Sequence, residues 1–290
     1  MKSPNVGIVV SASSRFFTTV QLLQGNVKSH DNLCIIIESP QFHSQFRFNY
    51  SIKDKLVTLV SKDGNPFVEK CLSLVFSFAR LHLGDESFTD LLTDSAIQGN
   101  LGIKLRADND FYSQIRQLEK RNLLLLSKSL KTLPRFLPCP KGVDGKVDIA
   151  KTGMGSSAAL TTSLVGALLQ WFGIVKLGYR NAEDDRRILH NLAQLAHAIA
   201  QEKCGSGFDV SAAVYGSQIY TRFDDAVVQS CMAKHVSSET IYKAVMSSVR
   251  KLFSSFFLSS LHFLTVTLIY YYNIECMDSK SVQLKLSTRN

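Results

Sequence analysis

The first hundred residues alternate between short β-type runs and one helical run. Runs rich in β-branched and aromatic residues predict strands at 6–12, 16–23, 33–39, 55–61 and 102–107. Between them, 65–83 has the spacing of a helix, with Asn65 as its N-cap and Pro66 at its first position. Its apolar residues recur on one face, at Phe67, Cys71, Leu74, Val75 and Phe78.

In the middle of the chain the sequence predicts a loop, a short strand and an uncharged helix. Residues 133–146 are rich in Pro and Gly, which predicts a loop. "VDIA" at 147–150 predicts a strand, and 156–172 reads as a helix without Pro or charge. Because strands come first and helices follow, the pattern favours an α+β sandwich over a regular βαβ series.

The glycine-containing stretch "KTGMGSSAAL" lies between this strand and this helix. Gly153 and Gly155 allow close approach of a ligand to the backbone, and the first helical turn offers free N–H groups to an anion. The hydroxyls of Ser156 and Ser157 add ligands for phosphate or for a bound cation. A plain turn that caps a buried helix explains the same residues equally well.

Two other glycine motifs fit less well. The Walker A pattern is absent, because no Lys follows Gly155. Gly153, Gly155 and Ala158 fit the dinucleotide pattern G-x-G-x-x-A, but that fold needs a strand ending in an acid about 20 residues on. Glu183, the available acid, stands where a helix is predicted to start.

A second informative stretch covers 188–223. It begins with a helix whose apolar face carries Ile188, Leu192, Leu195 and Ile199. The other face carries residues that we interpret as an ordinary polar face, although His197 could reach a site at the helix end: His190, Gln194, His197 and Gln201. Asp209 follows a glycine turn. It either caps the next helix or places a carboxylate beside a substrate.

Composition narrows the choice of partners. The net charge is +9 and the pI is about 9.2, but the basic residues are scattered along the chain. This favours a small anionic substrate and argues against nucleic acid as a partner. Six cysteines without a CxxC pair argue against a disulfide framework or a zinc site, which favours a reducing compartment.

The residues 252–272 contain 21 positions without a formal charge, which is the length of a membrane span. Four Ser, two Thr and one His dilute their hydrophobicity, so a membrane helix is the weakest interpretation. Translation beyond the true exon and a buried or loosely docked segment are the alternatives.

Four motifs in order carry a resemblance to a known family. "NPFVEKCL", "DNDFYSQ", "KTGMGSSAAL" and "AQEKCGSGFDVSAAVYGSQIYTRF" resemble phosphomevalonate kinases of the plant and fungal type, in the GHMP kinase superfamily. The resemblance implies an α+β two-layer sandwich with a left-handed β-α-β unit, contrary to the usual crossover rule. It implies an N-terminal-type domain at 1–223 without its first strand, a start of the C-terminal domain at 224–248, and an apolar tail of doubtful origin at 249–290.

The activity implied by the resemblance is ATP-dependent phosphorylation of 5-phosphomevalonate, with ATP and magnesium as cofactors, in the cytoplasm or the peroxisome. Asp209 would lie beside the acceptor phosphate, and Ser157 would help to hold magnesium. The acceptor-side residues would include Ser206, Gly207 and Arg222. The residues implied to hold ATP are Gly153, Met154, Gly155, Ser156, Ser157 and Ala158.

The sequence departs from the family pattern at several points, and these departures leave a second function open. The family's early Ala-Pro-Gly-Lys strand and its second glycine-rich motif have no counterpart, and Arg116 stands one position out of register. The acidic magnesium ligand of mevalonate kinases would fall at Ala198, with Glu202 nearby. We therefore expect the chain alone to lack activity. The alternative function is a truncated, non-catalytic homologue that binds nucleotide or a partner without turnover.

Overall fold

A computed structural model describes residues 6–24, 31–142, 144–177, 183–234, 236–247 and 254–257. Its strands are β1 (Val6–Val9), β2 (Phe16–Leu23), β3 (Asn32–Ser39), β4 (Ser44–Ser51), β5 (Leu56–Leu59), β6 (Asn100–Ala107), β7 (Gln218–Thr221) and β8 (Ser254–Phe257). Its helices are α1 (Pro66–Leu83), α2 (Asp85–Gln98), α3 (Ile115–Glu119), α4 (Ser127–Lys131), α5 (Ser156–Trp171), α6 (Glu183–Gln201), α7 (Phe208–Tyr215), α8 (Asp225–Met232) and α9 (Ser238–Met246).

The larger sheet is mixed and has the order β2-β6-β3-β4-β5. β3 and β6 are parallel, and the other neighbours are antiparallel. Side chains alternate between its faces: Phe16, Thr18 and Val20 of β2 are buried, and their neighbours are more exposed. The buried face is covered by α1, α2 and α5, which gives the α+β layers that the sequence predicts. The handedness of the β-α-β unit stays a prediction.

The α1 helix begins as its sequence predicts. The Asn65 side chain accepts hydrogen bonds from the backbone N–H groups of Phe67 and Val68, and Pro66 occupies the first turn. Its predicted face is buried at Cys71, Leu74, Val75 and Phe78. The first residues of α1 and of α5 line one common cavity, so the two N-termini lie near each other.

The α5 helix lies at the centre of the domain. It packs on β2 on one side and on α1 and α6 on the other, so nearly its whole length is buried. This position explains why the sequence from 156 to 171 carries no charge, since a charge there would lose its hydration without a partner. Its buried hydroxyls find local partners: Thr162 donates to the Ala158 carbonyl, and the Ser163 hydroxyl bonds that of Thr18.

Two expectations are wrong. Residues 147–150 do not form a strand: Val147 makes an isolated bridge to Lys141, and the segment has no continuous neighbour to pair with. The second face of α6 is not an ordinary polar face. His190, Gln194 and His197 are each at most 3% exposed, because α1, α5 and α7 surround the helix.

The C-terminal part of the described chain joins the same core. α8 and α9 pack on α6, and Cys231, Ile241 and Val245 are buried with the rest of the core. β8 pairs with β7, and β1 lies on the other side of β7 in a three-stranded sheet. The domain boundary at 223 stays a prediction. Most of the apolar stretch 252–272 lies outside the described residues, and none of the helices described is long and apolar enough to cross a membrane.

Candidate active site

The glycine loop before α5 has the conformation that its glycines permit. Gly153 has φ +85° and Gly155 has φ +71°, both in the left-handed region. Gly155 is the N-cap of α5, and in the described part of the chain no side chain caps this end. The first-turn N–H groups of Ser156, Ser157 and Ala158 therefore face outward at the positive end of the helix dipole, which is the arrangement of an anion site.

The segment before the loop is tied to the motif "DNDFYSQ". The Thr152 hydroxyl donates to the Asp110 carbonyl at 2.7 Å, and the Thr152 N–H donates to the Phe111 carbonyl at 3.2 Å. The Ser113 N–H donates to the Ala150 carbonyl at 2.7 Å. These bonds join two motifs that are distant in sequence into one rim.

Asp209 lies against the glycine loop. It is in the first turn of α7, and its Oδ1 accepts from the Val210 N–H at 3.0 Å. A Cβ atom on residue 155 would lie 3.5 Å from the Cβ of Asp209. The structure thus brings together the two motifs in which the sequence placed the phosphate loop and the acidic residue.

The turn before α7 is tightly packed. Gly207 has φ +76°, and a Cβ atom there would lie 2.5 Å from the Phe223 ring and 3.0 Å from the Tyr220 hydroxyl oxygen. The Tyr220 hydroxyl donates to the Ser206 carbonyl at 2.6 Å. This packing fixes the turn and with it the start of α7, which carries Asp209.

Arg222 is held at the same turn. Its guanidinium pairs with both Asp225 carboxylate oxygens, at 3.1 Å and 2.8 Å, and Nη2 lies 3.5 Å from the Gly205 carbonyl oxygen. The side chain is 36% exposed. The three predicted acceptor-side residues thus differ in their surroundings. Gly207 lies where neighbouring side chains leave no room for a Cβ atom, and the Ser206 carbonyl accepts a hydrogen bond within the turn. Arg222 has a partly exposed guanidinium that is paired with Asp225.

His197 is a site residue that the sequence reasoning gave only a minor role. It is 3% exposed, and its Nε2 lies 3.1 Å from the Ser157 Oγ. Burial lowers the pKa of His197 below its ordinary value; the charge of Lys203 acts in the same direction, and that of Asp209 opposes it. One sequence feature could have identified His197. It stands four residues before Gln201, so the two side chains share a face at the end of the helix that precedes the glycine turn.

A cavity of about 390 Å³ opens beside the loop, between the N-termini of α1 and α5. Ser156, Ser157 and Lys151 belong to its polar wall. The Tyr112 hydroxyl, hydrogen-bonded to Ser156, is buried, and burial raises its pKa. The apolar part of the wall is formed by Phe42, Phe46, Phe67, Leu105, Ile149 and Leu160. An apolar cleft with a polar end next to an anion site suits a ligand with an aromatic base and phosphates.

A hydroxyl oxygen at this helix end would suit a magnesium ion that is held mainly by nucleotide phosphates. The described residues contain no group of three or more His, Cys, Asp or Glu that could hold a metal alone. Mg²⁺ instead uses one or two protein oxygens, substrate phosphates and water. The Ser157 hydroxyl, two residues after Gly155 in the first turn of α5, is an oxygen that would take such a place.

Comparisons with known proteins agree with this geometry. Residues 125–217 match the family model "GHMP kinases N terminal domain". "Phosphomevalonate kinase, peroxisomal" of Arabidopsis thaliana is 37% identical over 245 residues, which is 79% of this chain and 48% of that protein. A phosphomevalonate kinase of Aspergillus fumigatus is 35% identical over 221 residues, 71% of this chain and 40% of that protein.

A third match covers a shorter part of the chain. A phosphomevalonate kinase of Saccharolobus solfataricus is 42% identical over 83 residues, 29% of this chain and 22% of that protein. No solved structure matches the chain significantly. The chain spans about half the length, or less, of the curated relatives that it matches. These matches show that residues 125–217 are of the GHMP kinase N-terminal type and that most of the chain is similar to part of the phosphomevalonate kinases.

Proposed function

We propose that the chain is the nucleotide-binding part of a phosphomevalonate kinase, which transfers a phosphoryl group from ATP to 5-phosphomevalonate and forms 5-diphosphomevalonate. The observation that carries the proposal is the proximity of Asp209 to the glycine loop: its Cβ would lie 3.5 Å from a Cβ atom on residue 155. An uncapped helix N-terminus beside a carboxylate supports a site for phosphoryl transfer. The names of the relatives support the choice of substrate.

The ATP phosphates are proposed to lie at the start of α5. The N–H groups of Ser156, Ser157 and Ala158 would donate to phosphate oxygens, and Gly153 and Gly155 leave room for their approach. Phe67 and the other apolar residues of the 390 Å³ cavity are then placed to receive the base. This assignment uses one continuous surface, since Ser156 and Ser157 belong to both the loop and the cavity.

The acceptor is proposed to lie on the side of α7. Phosphoryl transfer depends mainly on positioning and on neutralising charge. A phosphate monoester has a second pKa of about 6, so it is already largely deprotonated at pH 7. Asp209 is therefore proposed to orient the acceptor oxygen, and Arg222, with Ser206 at the same turn, to contribute to binding of the acceptor phosphate. Ser157 would hold magnesium, which supplies positive charge against the phosphates when bound.

Two measurements test the proposal. Calorimetry of the full chain with Mg-ATP checks the nucleotide site, and a coupled assay of ADP release checks transfer to 5-phosphomevalonate. Mevalonate is the matched control acceptor, because it differs by the phosphate alone. We expect Mg-ATP binding by this chain. Because we expect this chain alone to lack activity, we expect ADP release that depends on the phosphorylated acceptor only from a chain extended to the length of its relatives.

The outcomes separate the alternatives. Binding without ADP release, even from the extended chain, supports the non-catalytic homologue. Absence of Mg-ATP binding contradicts the nucleotide site itself. Release with mevalonate at an equal rate contradicts the substrate assignment. Location in the cytoplasm or the peroxisome stays a prediction; one relative is named peroxisomal.

A further inference from the structure

The contact between His197 and Ser157 joins two helices at the proposed phosphate site. Ser157 is in the first turn of α5, and His197 lies in the last two turns of α6. Their side chains meet at 3.1 Å, between Oγ and Nε2, and His197 is 3% exposed. The proposed function gives this imidazole no task, so its polarity needs an explanation.

Gln201 contacts both ring nitrogens of His197. Its amide nitrogen lies 2.6 Å from Nδ1 and 3.1 Å from the ring Nε2, and it donates to the His197 carbonyl at 3.3 Å. An amide NH₂ group only donates, and the shorter of the two contacts assigns the acceptor role to Nδ1. In a neutral imidazole this assignment leaves the proton on Nε2, which then donates to the Ser157 hydroxyl oxygen.

This direction decides what the hydroxyl can do. A serine hydroxyl has one proton and two lone pairs. When the Ser157 oxygen accepts a hydrogen bond from His197 through one lone pair, its O–H is not donated to His197. The O–H can then donate to a group bound at the glycine loop. The second lone pair remains free for a cation.

The ring is also fixed in its plane. Phe67 packs against the imidazole, with ring centroids 5.6 Å apart and 34° between the planes. Phe67 is itself fixed by the start of α1, where its N–H donates to the Asn65 side chain at 3.0 Å. The N-cap of α1 thus helps to fix His197, because the Phe67 ring packs against the imidazole.

We propose that His197 is a positioning residue, which holds the Ser157 hydroxyl so that its proton is donated to a phosphate oxygen of the bound nucleotide. The proposal rests on the proposed function, because it requires a nucleotide at the start of α5. His197 acts only through Ser157. This property separates it from a residue that merely stabilises the fold.

A double-mutant cycle tests this property. The variants are Ser157→Ala, His197→Leu and the double variant, and the readout is the Kd for ATP by calorimetry, with Mg²⁺ and with EDTA. We expect each single variant to weaken binding in EDTA by about tenfold, the range for a hydrogen bond to a charged group. With Mg²⁺, Ser157→Ala should weaken binding further, because Ser157 is also the proposed magnesium ligand. The double variant should be no weaker than Ser157→Ala alone, because the hydroxyl is then already absent.

Two further variants separate positioning from stability. His197→Gln keeps an N–H donor near the position of Nε2 and should bind within about threefold of the natural chain. His190→Leu is the matched control, since His190 is buried on the same helix but packs on the Tyr215 ring. It should lower the thermal midpoint without changing the Kd. Nitrogen NMR of the natural chain should place the His197 proton on Nε2.

The failures are distinguishable. If the natural chain binds no ATP, the proposed function is wrong and this inference is wrong with it. If it binds ATP and the two losses add in the double variant, His197 does not act through Ser157 and only this inference is wrong. A proton on Nδ1 in the NMR spectrum overturns the inference even where a variant fails to fold.

Discussion

Two glycine turns of the site have the same backbone conformation for different physical reasons. Gly155, before α5, has φ +71°, and Gly207, before α7, has φ +76°. A Cβ atom on Gly155 would meet one ordinary contact, at 3.5 Å from Asp209. A Cβ atom on Gly207 would overlap the Phe223 ring at 2.5 Å. The first turn has open space and the second is filled by the protein.

The difference assigns the two turns separate tasks. Open space beside uncapped N–H groups is useful to a ligand, whereas a filled turn fixes the backbone that follows it. The turn at Gly207 therefore positions Asp209, and the turn at Gly155 receives the phosphates in the proposed function. Substitutions at the two glycines should accordingly fail in different ways.

The largest effect is expected at the open turn. Gly155→Val should abolish detectable Mg-ATP binding in calorimetry, because a branched side chain would fill the approach to the first turn of α5 and disfavour a positive φ. Gly145→Val is the matched control: Gly145 has φ +75° and nothing within 4 Å of its Cβ position. Both variants should lose about 1–2 kcal/mol of unfolding free energy from backbone strain. Equal affinities in the two variants would make the loop a helix cap only.

Asp209→Asn should affect the acceptor side. We expect kcat for 5-phosphomevalonate, in a chain that turns over, to fall about 100-fold, within the range for an acid–base or orienting carboxylate. The Kd for Mg-ATP should change less than about threefold, and the thermal midpoint should not fall, because an amide oxygen can still accept from the Val210 N–H. Near-normal kcat would make Asp209 a structural residue.

At the filled turn, the expected loss is in stability. Gly207→Ala should cost about 2 kcal/mol of unfolding free energy, since the new methyl overlaps Phe223 and the backbone is left-handed. Gly205→Ala, two residues earlier, should be nearly neutral: no atom lies within 4 Å of its Cβ position and its φ is not positive. Thermal unfolding of the pair checks this. Equal midpoints would show that the turn repacks easily.

Local chemistry made much of this fold predictable from sequence. The cap at Asn65, the alternation in 16–23 and the uncharged run of α5 each follow from rules that act within a few residues. The glycine loop was likewise visible, because left-handed positions select glycine. That the glycine loop and Asp209 belong to one site was implied by the family resemblance, and the spacing of the residues did not show it.

Long-range packing explains what the sequence did not reveal. His190 and His197 look like a solvated face because their spacing alone cannot show that α7 covers one end of the helix. The filled space at Gly207 depends on Phe223 and Tyr220, which follow it by more than a dozen residues. The predicted strand at 147–150 failed because a strand needs a partner that local pattern does not supply.

The smallest effect is expected from a charge at the open turn. Lys151 belongs to the wall of the cavity beside Ser156 and Ser157, and it forms no ion pair with any residue described here. Its ammonium group is therefore free to attract phosphate, but it is exposed and screened by salt. Lys151→Met should weaken Mg-ATP binding by roughly two- to fivefold, corresponding to the 0.5–1 kcal/mol of an exposed charge pair. Lys146→Met is the matched control, since its side chain is 86% exposed and lies 3.8 Å from Asp144. Calorimetry at low and high salt checks the electrostatic cause: the difference between the two variants should shrink as salt is raised. A loss at Lys151 that is independent of salt would mean that the stem of the side chain, not its charge, supports the loop.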